Sequence, residues 1–292
     1  MEIRVLGPFA VSCGEADVVP TAPKPRSVLA LLLLQANQTV PVSDLVQELW
    51  DSEPPTSALT TLQTYILQLR KRLAHALAAP PGNVAKSVLV TVPGGYQFRT
   101  ATEDFDLPQY LRLAAEGQRA LVAGDDALAA DLLLQAQDLW RGPALADVPS
   151  GPMLVPQVKR LQESRLATIE NSIEARLRLG KHQEVLSELA GLTAEHPLGE
   201  NLHALLMVAL HRSGRRQEAL RVFQQLRASM VERLGLEPAR QLHQLQQAVL
   251  ADDPLLDYAP PGNPGRLLLL ERLSPGRTQA PESRRRLSLE AR

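Results

Sequence analysis

The segment Pro54–Ala74, PPTSALTTLQTYILQLRKRLA, predicts one amphipathic helix whose two sides differ in chemistry. Apolar residues recur every three or four positions, as on one face of an α-helix: Leu59, Leu62, Ile66, Leu69 and Leu73. The opposite side carries short polar or cationic side chains: Thr60, Thr64 and Lys71, flanked by Thr61 and Gln68. Two prolines prevent an earlier start, and Thr56 or Ser57 is expected to cap the first turn. The pattern suits a helix that reads the major groove of DNA, and it also suits an ordinary amphipathic helix.

The elements around this segment favour the DNA-reading interpretation. Residues 2–20 contain the apolar runs EIRVLG, FAVSC and VV, separated by glycine and proline turns, which predicts a small antiparallel sheet. Helices are predicted from about Pro25 to Ala36 and from Val42 to Trp50, the second capped by Ser43. After the break Pro80-Pro81-Gly82, the segment SVLVTVPGGYQFRT predicts a hairpin. Residues 1–102 are therefore expected to form an α+β winged helix-turn-helix whose third helix enters the major groove.

Residues 103–252 are predicted to form an all-α, tetratricopeptide-like domain. Three segments resemble one another: LVAGDDALAADLLLQAQ (121–137), LRLGKHQEVLSELAGLT (177–193) and LHRSGRRQEALRVFQQLR (210–227). In each, a glycine is expected to end one helix, and the next helix to begin two or three residues later. The last two copies are in register at 34 residues, as Gly180 and Gly214 illustrate. That period is typical of tetratricopeptide repeats, and an irregular helical bundle remains the alternative.

Two segments depart from the repeat pattern. The segment Arg141–Gln157, which overlaps the stretch WRGPALADVPSGPMLVP (140–156), is interpreted as a loop that docks one repeat onto another. Residues 253–292 are rich in proline and glycine, which predicts a disordered tail, with Leu267–Leu270 as a possible docking element within it.

Composition limits the classes of function. The 292 residues are 45% hydrophobic, enough for two buried cores, and carry a formal net charge of −1. Through Phe105 there are eight basic and nine acidic residues, so we expect weak non-specific DNA affinity and a modest salt dependence. The single cysteine, Cys13, excludes an internal disulfide and a cysteine-rich metal site and is expected to be buried. The chain is expected to be cytoplasmic and nucleoid-associated, because it shows no secretory signal and no apolar run of membrane-spanning length.

The sequence does not predict an enzyme, a metal site or a cofactor. The six histidines are scattered without metal-ligand spacing, although His203 and His211 are eight residues apart and could share a helix face. Neither a nucleophile elbow nor a glycine-rich phosphate loop is present. The competing interpretation is a tetratricopeptide adaptor whose winged helix binds protein instead of DNA.

Candidate DNA-contacting residues fall into three groups. Hydroxyl and amide groups on the first turns of the predicted helix are expected at base edges or nearby sugars: Thr60, Thr61, Gln63 and Thr64. Cations are expected at phosphates: Lys24, Arg26, Arg70, Lys71 and Arg72. The wing is expected to be shaped by Gly94 and Gly95, with Tyr96 more often a core residue than a DNA contact.

The chain resembles a known family at the level of long, ordered segments. VTVPGGYQF is close to the wing motif of OmpR/PhoB-type winged helices. The segments EIRVLGPFAV, PRSVLALLLLQAN, LVQELW, LWRGPALADV and LGLEP, together with the helix and the repeats quoted above, are similar to Streptomyces antibiotic regulatory proteins. That resemblance covers residues 1 to about 252 and implies a winged helix followed by a bacterial transcriptional activation domain.

The resemblance also implies partners. Members of the family activate antibiotic gene clusters. The resemblance implies that this protein binds direct repeats in double-stranded promoter DNA near the −35 element, and we expect it to do so as a homodimer. The same family role implies contact with RNA polymerase, including its sigma factor. Gln97 follows Tyr96 where an arginine is common in this wing. The sequence carries no GxxxxGK[ST] loop for nucleotide control, and no phosphoacceptor receiver domain is expected because the predicted sheet begins at residue 2.

Overall fold

The computed structural model describes residues 1–101 and 103–257, which belong to two compact units divided at residue 175. The first unit begins with two small antiparallel sheets and four helices. One sheet has the order β1-β2-β3 and the other the order β4-β6-β5. In chain order the elements are β1 (Glu2–Arg4), β2 (Ala10–Cys13), β3 (Ala16–Asp17), α1 (Pro23–Leu34), β4 (Val40–Pro41), α2 (Val42–Trp50), α3 (Ala58–Ala76), α4 (Pro81–Ser87), β5 (Leu89–Val92) and β6 (Gly95–Phe98). This is the predicted winged helix with its N-terminal sheet.

The core of this part forms around α1. Every residue from Val28 to Leu33 is fully buried, so this helix is apolar on all sides. It contacts α2, α3 and β6, which cover it from different directions. Burial on all sides explains why the apolar run in α1 lacks helical periodicity.

Several element ends differ from the sequence-based expectation. The break predicted at Pro80-Pro81-Gly82 opens a short helix, α4, because proline is well tolerated in the first helical turn. Ser43 lies inside the first turn of α2 and donates to Asp44 instead of capping the helix. Ser57 occupies the N-cap of α3 without a side-chain capping bond. Cys13 is half-buried rather than buried.

The remainder of the described chain is mainly helical, with an irregular segment between α6 and α7. The helices are α5 (Asp106–Ala123), α6 (Asp126–Asp138), α7 (Leu154–Arg178), α8 (Leu186–Glu195), α9 (Glu200–Arg212), α10 (Arg216–Leu234) and α11 (Arg240–Ala251), followed by a 3₁₀ turn at Pro254–Leu256. Glycines in the left-handed conformation lie between consecutive helices at Gly124, Gly180, Gly214 and Gly235, with φ of 82°, 82°, 74° and 67°. The helix after Gly180 begins at Leu186, later than predicted. In the second unit α9 is the central helix, buried from Leu202 to Leu210 and contacted by α8, α10 and α11.

The predicted tail lies largely outside the described residues, and so does the segment Leu267–Leu270. Its first residues pack against α9, where Arg212 donates from Nε to the carbonyl of Leu256 at 2.7 Å.

The irregular segment after α6 packs against the N-terminal sheet instead of docking one repeat onto another. The amide of Arg141 donates to the carbonyl of Leu6 at 2.8 Å, and the amide of Leu145 donates to the carbonyl of Val5 at 3.0 Å. At Gly7 the two chains are so close that a Cβ would lie 2.9 Å from Cβ of Arg141. The winged helix and the helices α5 and α6 therefore belong to one compact unit.

Buried carboxylates complete this attachment. Glu48 on α2 is only 6% exposed, and its carboxylate accepts from the amides of Gly151, Met153 and Leu154 at 2.6, 2.9 and 2.9 Å. These amides are at the start of α7, where a helix leaves its N–H groups without intrahelical partners.

Asp106, at the start of α5, makes a similar attachment to the sheet. It accepts from the amides of Val5 and Leu6 at 2.9 and 3.0 Å and from Nη2 of Arg141 at 3.2 Å. Burial raises the pKa of Asp106 above its usual range, and the hydrogen bonds from the two amides and from Arg141 act in the opposite direction.

Replacing the Glu48 carboxylate tests how much this attachment stabilises the first unit. Glu48→Gln leaves one acceptor oxygen and turns an NH₂ group toward backbone N–H donors, so we expect a loss of about 2 kcal/mol in unfolding free energy. Urea unfolding followed by tryptophan fluorescence measures this change, because Trp50 and Trp140 both lie in the first unit. Glu53→Gln, an exposed position in the turn after α2, is the matched control and should change stability by less than about 0.5 kcal/mol. Equal stability of the two variants would contradict this role for Glu48.

Candidate nucleic-acid interface

Helix α3 has one buried face and one exposed polar face. Leu62, Ile66, Leu69 and Leu73 are buried as predicted. Leu59 is 58% exposed, so its assignment to the buried stripe was wrong. It lies at the edge of that stripe, in the first turn, immediately after a turn whose residues 51–57 are all exposed.

The exposed face carries the residues predicted to meet base edges. Thr60, Gln63 and Thr64 are exposed, while Thr61 is half-buried at the edge of the face. The hydroxyl of Thr64 donates to the carbonyl of Thr60 at 2.9 Å, which leaves its oxygen lone pairs and its methyl group available to a ligand. Leu67 and Gln68 are exposed on this side of α3 and were not assigned a DNA contact from the sequence.

Arg70 joins α3 to the wing instead of extending into solvent. Its Nε donates to the carbonyl of Leu89 at 2.9 Å, and its Nη2 donates to the hydroxyl of Thr91 at 2.8 Å. The guanidinium also lies over the ring of Tyr96, 6.0 Å from its centroid. Partial burial lowers the pKa of Arg70 from its usual value, but an arginine side chain remains charged at neutral pH. Arg70 therefore sets the position of the wing relative to the helix.

The other cations predicted to bind phosphates differ in how many contacts their charged groups already make within the protein. Arg26 forms an ion pair with Asp147 at 2.6 Å, and Lys24 lies over the ring of Trp50, 4.7 Å from its centroid. Arg72 is exposed and makes one hydrogen bond, from Nη1 to the carbonyl of Val19 at 3.3 Å. Lys71 is exposed, and its ammonium makes no hydrogen bond or ion pair with the described residues. Of these cations, Lys71 is therefore the best placed to meet a phosphate.

The wing depends on two adjacent glycines for different reasons. Gly94 has φ of 78° and turns the chain between β5 and β6, with nothing near the position of a Cβ. At Gly95 a Cβ would lie 2.2 Å from the carbonyl oxygen of Val40, so only glycine lets β6 pair with β4. Tyr96 is buried and packs in the core, in agreement with its predicted role.

Charge is distributed unevenly within the winged helix. Residues 54–102 contain no aspartate or glutamate, although five basic residues occur there: Arg70, Lys71, Arg72, Lys86 and Arg99. All nine acidic residues of the first 105 lie outside this range. The near-neutral total therefore hides a basic region made of α3, α4 and the wing, which the sequence could have revealed by position. A local field of this kind attracts phosphates even when net charge is small.

Other classes of site find little support in the described part of the chain. Within residues 1–101 and 103–257, no group of metal-ligating side chains could hold an ion. His203 is buried in α9 with Nδ1 at 2.8 Å from the carbonyl of Gly199, and burial lowers the pKa of its imidazole. None of the described helices combines the length and apolar character needed to cross a membrane.

Comparison with known proteins gives two family matches that together span most of the described chain. Residues 16–98 match the model described as "Transcriptional regulatory protein, C terminal". Residues 105–250 match the model described as "Bacterial transcriptional activator domain".

Individual relatives carry the same arrangement. The chain is 48% identical over 264 residues to the regulatory protein DnrI of Streptomyces peucetius, covering 90% of this chain and 97% of that protein. It is 42% identical over 257 residues to the regulatory protein AfsR of Streptomyces coelicolor, covering 88% of this chain but 25% of that longer protein. Among solved structures, Mycobacterium tuberculosis EmbR in complex with a low-affinity phosphopeptide matches with a TM-score of 0.81 and 28% identity, covering 93% of this chain and 67% of EmbR.

The two wing glycines make a matched pair of substitutions. Gly95→Ala forces β4 and β6 apart, so we expect it to destabilise the first unit by about 2–3 kcal/mol. Gly94→Ala meets open space and carries only the strain of a left-handed alanine, which is about 1 kcal/mol. Urea unfolding of the two variants measures the difference, and a larger loss in Gly94→Ala than in Gly95→Ala would show that the close approach to Val40 is unimportant.

Proposed function

The chain belongs to the Streptomyces antibiotic regulatory protein family of DNA-binding transcriptional activators, and on that premise we propose that α3 reads promoter DNA in the major groove. The observation that carries this proposal is the exposed stripe of α3, which presents hydroxyl and amide groups beside a free lysine. The acid-free region around the stripe favours approach to phosphates.

We assign the contacts by exposure and by the partners that each side chain already has. Thr60, Gln63 and Thr64 meet base edges, since hydroxyl and amide groups both donate and accept there, and Thr61 meets a nearby sugar. Lys71 and Arg72 meet phosphates. These roles separate sequence readout from backbone anchoring, as protein–DNA interfaces generally do.

The remaining predicted contacts are secondary in this proposal. Arg70 positions the wing and Arg26 holds Asp147, so neither has its charge free for DNA. Lys24 is half-buried against Trp50 and is at most a peripheral phosphate contact. The wing, with Gly94 at its tip and Gln97 in place of a common arginine, follows the backbone or minor groove.

The proposal extends to assembly on the promoter. Two copies bind side by side on direct repeats near the −35 element, because one winged helix with so few free cations holds DNA weakly. The helical domain stabilises this pair and, with the outer face of the winged helix, contacts RNA polymerase and its sigma factor. The regulated genes form an antibiotic or other secondary-metabolite cluster. These features rest on the family resemblance.

DNase footprinting on the region upstream of the neighbouring genes tests the assembly. We expect protection of tandem repeats by the protein alone, and an extension of that protection toward the transcription start when RNA polymerase is added. Protection unchanged by polymerase counts against recruitment. A complete absence of specific binding would instead favour the adaptor interpretation, in which the winged helix binds protein.

Lys71 and Thr64 are expected to affect different properties of binding. Lys71→Ala should weaken binding to specific and random duplexes alike and reduce the slope of log K against log salt by about 1. Thr64→Ala should leave the slope unchanged and alter sequence preference. Salt-titrated fluorescence anisotropy on both duplexes measures both effects. Lys181→Ala, an exposed lysine of the second unit, is the matched control, and the assignment fails if Lys71→Ala behaves like that control.

A further inference from the structure

An apolar side chain interrupts the polar face of α3 at its centre. Leu67 is 50% exposed and lies on the same stripe as Thr60, Thr64 and Lys71, at successive steps of four, three and four residues. Single exposed leucines are common on protein surfaces and usually need no explanation. Leu67 differs because three of its neighbours at helical spacing, Gln63, Thr64 and Lys71, are side chains proposed to touch DNA.

The chemistry of the major groove limits what a leucine can favourably meet there. Base edges in this groove present hydrogen-bond donors and acceptors, and their one apolar group is the C5 methyl of thymine. A leucine over a cytosine amino group or a guanine carbonyl would take that group out of water without replacing its hydrogen bond. Leucine therefore favours thymine by attraction and disfavours other bases by desolvation.

The position of Leu67 along the helix fits contact with a base. With a rise of about 1.5 Å per residue, Leu67 lies about 4.5 Å beyond Thr64 and about 6 Å before Lys71. Stacked bases are about 3.4 Å apart, so Leu67 lies roughly one base step from the pair met by Thr64. Lys71, one turn further on, would anchor the helix to a phosphate and hold this part of α3 in the groove.

We propose that Leu67 is a specificity-determining residue that recognises one thymine in each repeat through its methyl group. The inference rests on the proposed function, since it requires α3 to lie in the major groove. It adds a base contact made by dispersion and water exclusion to those made by hydrogen bonds.

Replacing thymine by uracil tests the contact directly, because uracil keeps the base pair and removes only the methyl group. A duplex bound by the full-length protein is first selected from a random-sequence library, and each of its thymines is then replaced singly by uracil. At one thymine per repeat we expect affinity to fall about fourfold, the value for one buried methyl group. Leu67→Ala should weaken binding to the thymine duplex and abolish the uracil effect at that position. Alanine keeps the helix, so the variant is expected to fold normally.

A second leucine on the same helix provides the control. Leu77, at the C-terminal end of α3, is 37% exposed and lies about 15 Å along the axis from Leu67. Leu77→Ala should retain the full uracil effect.

Two results would overturn the inference, and they are distinguishable. If a specific duplex is selected but wild type and Leu67→Ala show the same response to uracil at every position, the methyl contact is absent while DNA reading by α3 stands. If no specific duplex is selected at all, the proposed function fails and the inference fails with it.

Discussion

Buried backbone amides that need acceptors are the constraint on which the first unit depends. The segment between α6 and α7 brings the amides of Gly151, Met153 and Leu154 out of water at the start of a helix, where no backbone carbonyl can reach them. The carboxylate of Glu48, on α2 of the winged helix, accepts all three. Asp106 does the same for the amides of Val5 and Leu6. Because these bonds join distant parts of the sequence, the winged helix and the helices α5 and α6 are held in one unit.

Hydrogen bonding to the wing also separates Arg70 from the two cations that follow it in α3. Arg70 donates to the carbonyl of Leu89 and fixes the wing, and Arg72 makes one hydrogen bond to Val19. Lys71 lies between them in sequence and on the opposite side of α3 from the core, and its ammonium makes no hydrogen bond or ion pair within residues 1–101 and 103–257. The basic triplet predicted as one phosphate-binding cluster therefore divides in two: Arg70 joins α3 to the wing, whereas Lys71 and Arg72 are exposed. The helical period of about 100° per residue separates them.

Sequence periodicity correctly predicted most of the helices and strands that form, but it did not predict the exposure of residues at the ends of helices. The spacing of Leu62, Ile66, Leu69 and Leu73 correctly predicted the buried face of α3, since that face is a property of one helix. Leu59 fits the same period but is 58% exposed, although Ala58 beside it is buried. Leu67 does not fit the apolar period, and the same helical period places it on the outer face with Thr60, Thr64 and Lys71. The absence of acidic residues from 54 to 102 could be read from the sequence, although the near-neutral net charge of the first 105 residues concealed it.

The sequence by itself determined the fold class, since apolar periodicity, the glycine turns at Gly94, Gly124, Gly180 and Gly214, and the order of elements are local properties. It also determined the family. Only the tertiary structure decided which polar side chains are free to bind and which are already used. Arg26 is paired with Asp147 and Glu48 accepts the amides at the start of α7, and each contact spans more than a hundred residues. Such contacts leave no periodic signal in the sequence, because hydrogen bonds between distant segments depend on the path of the whole chain.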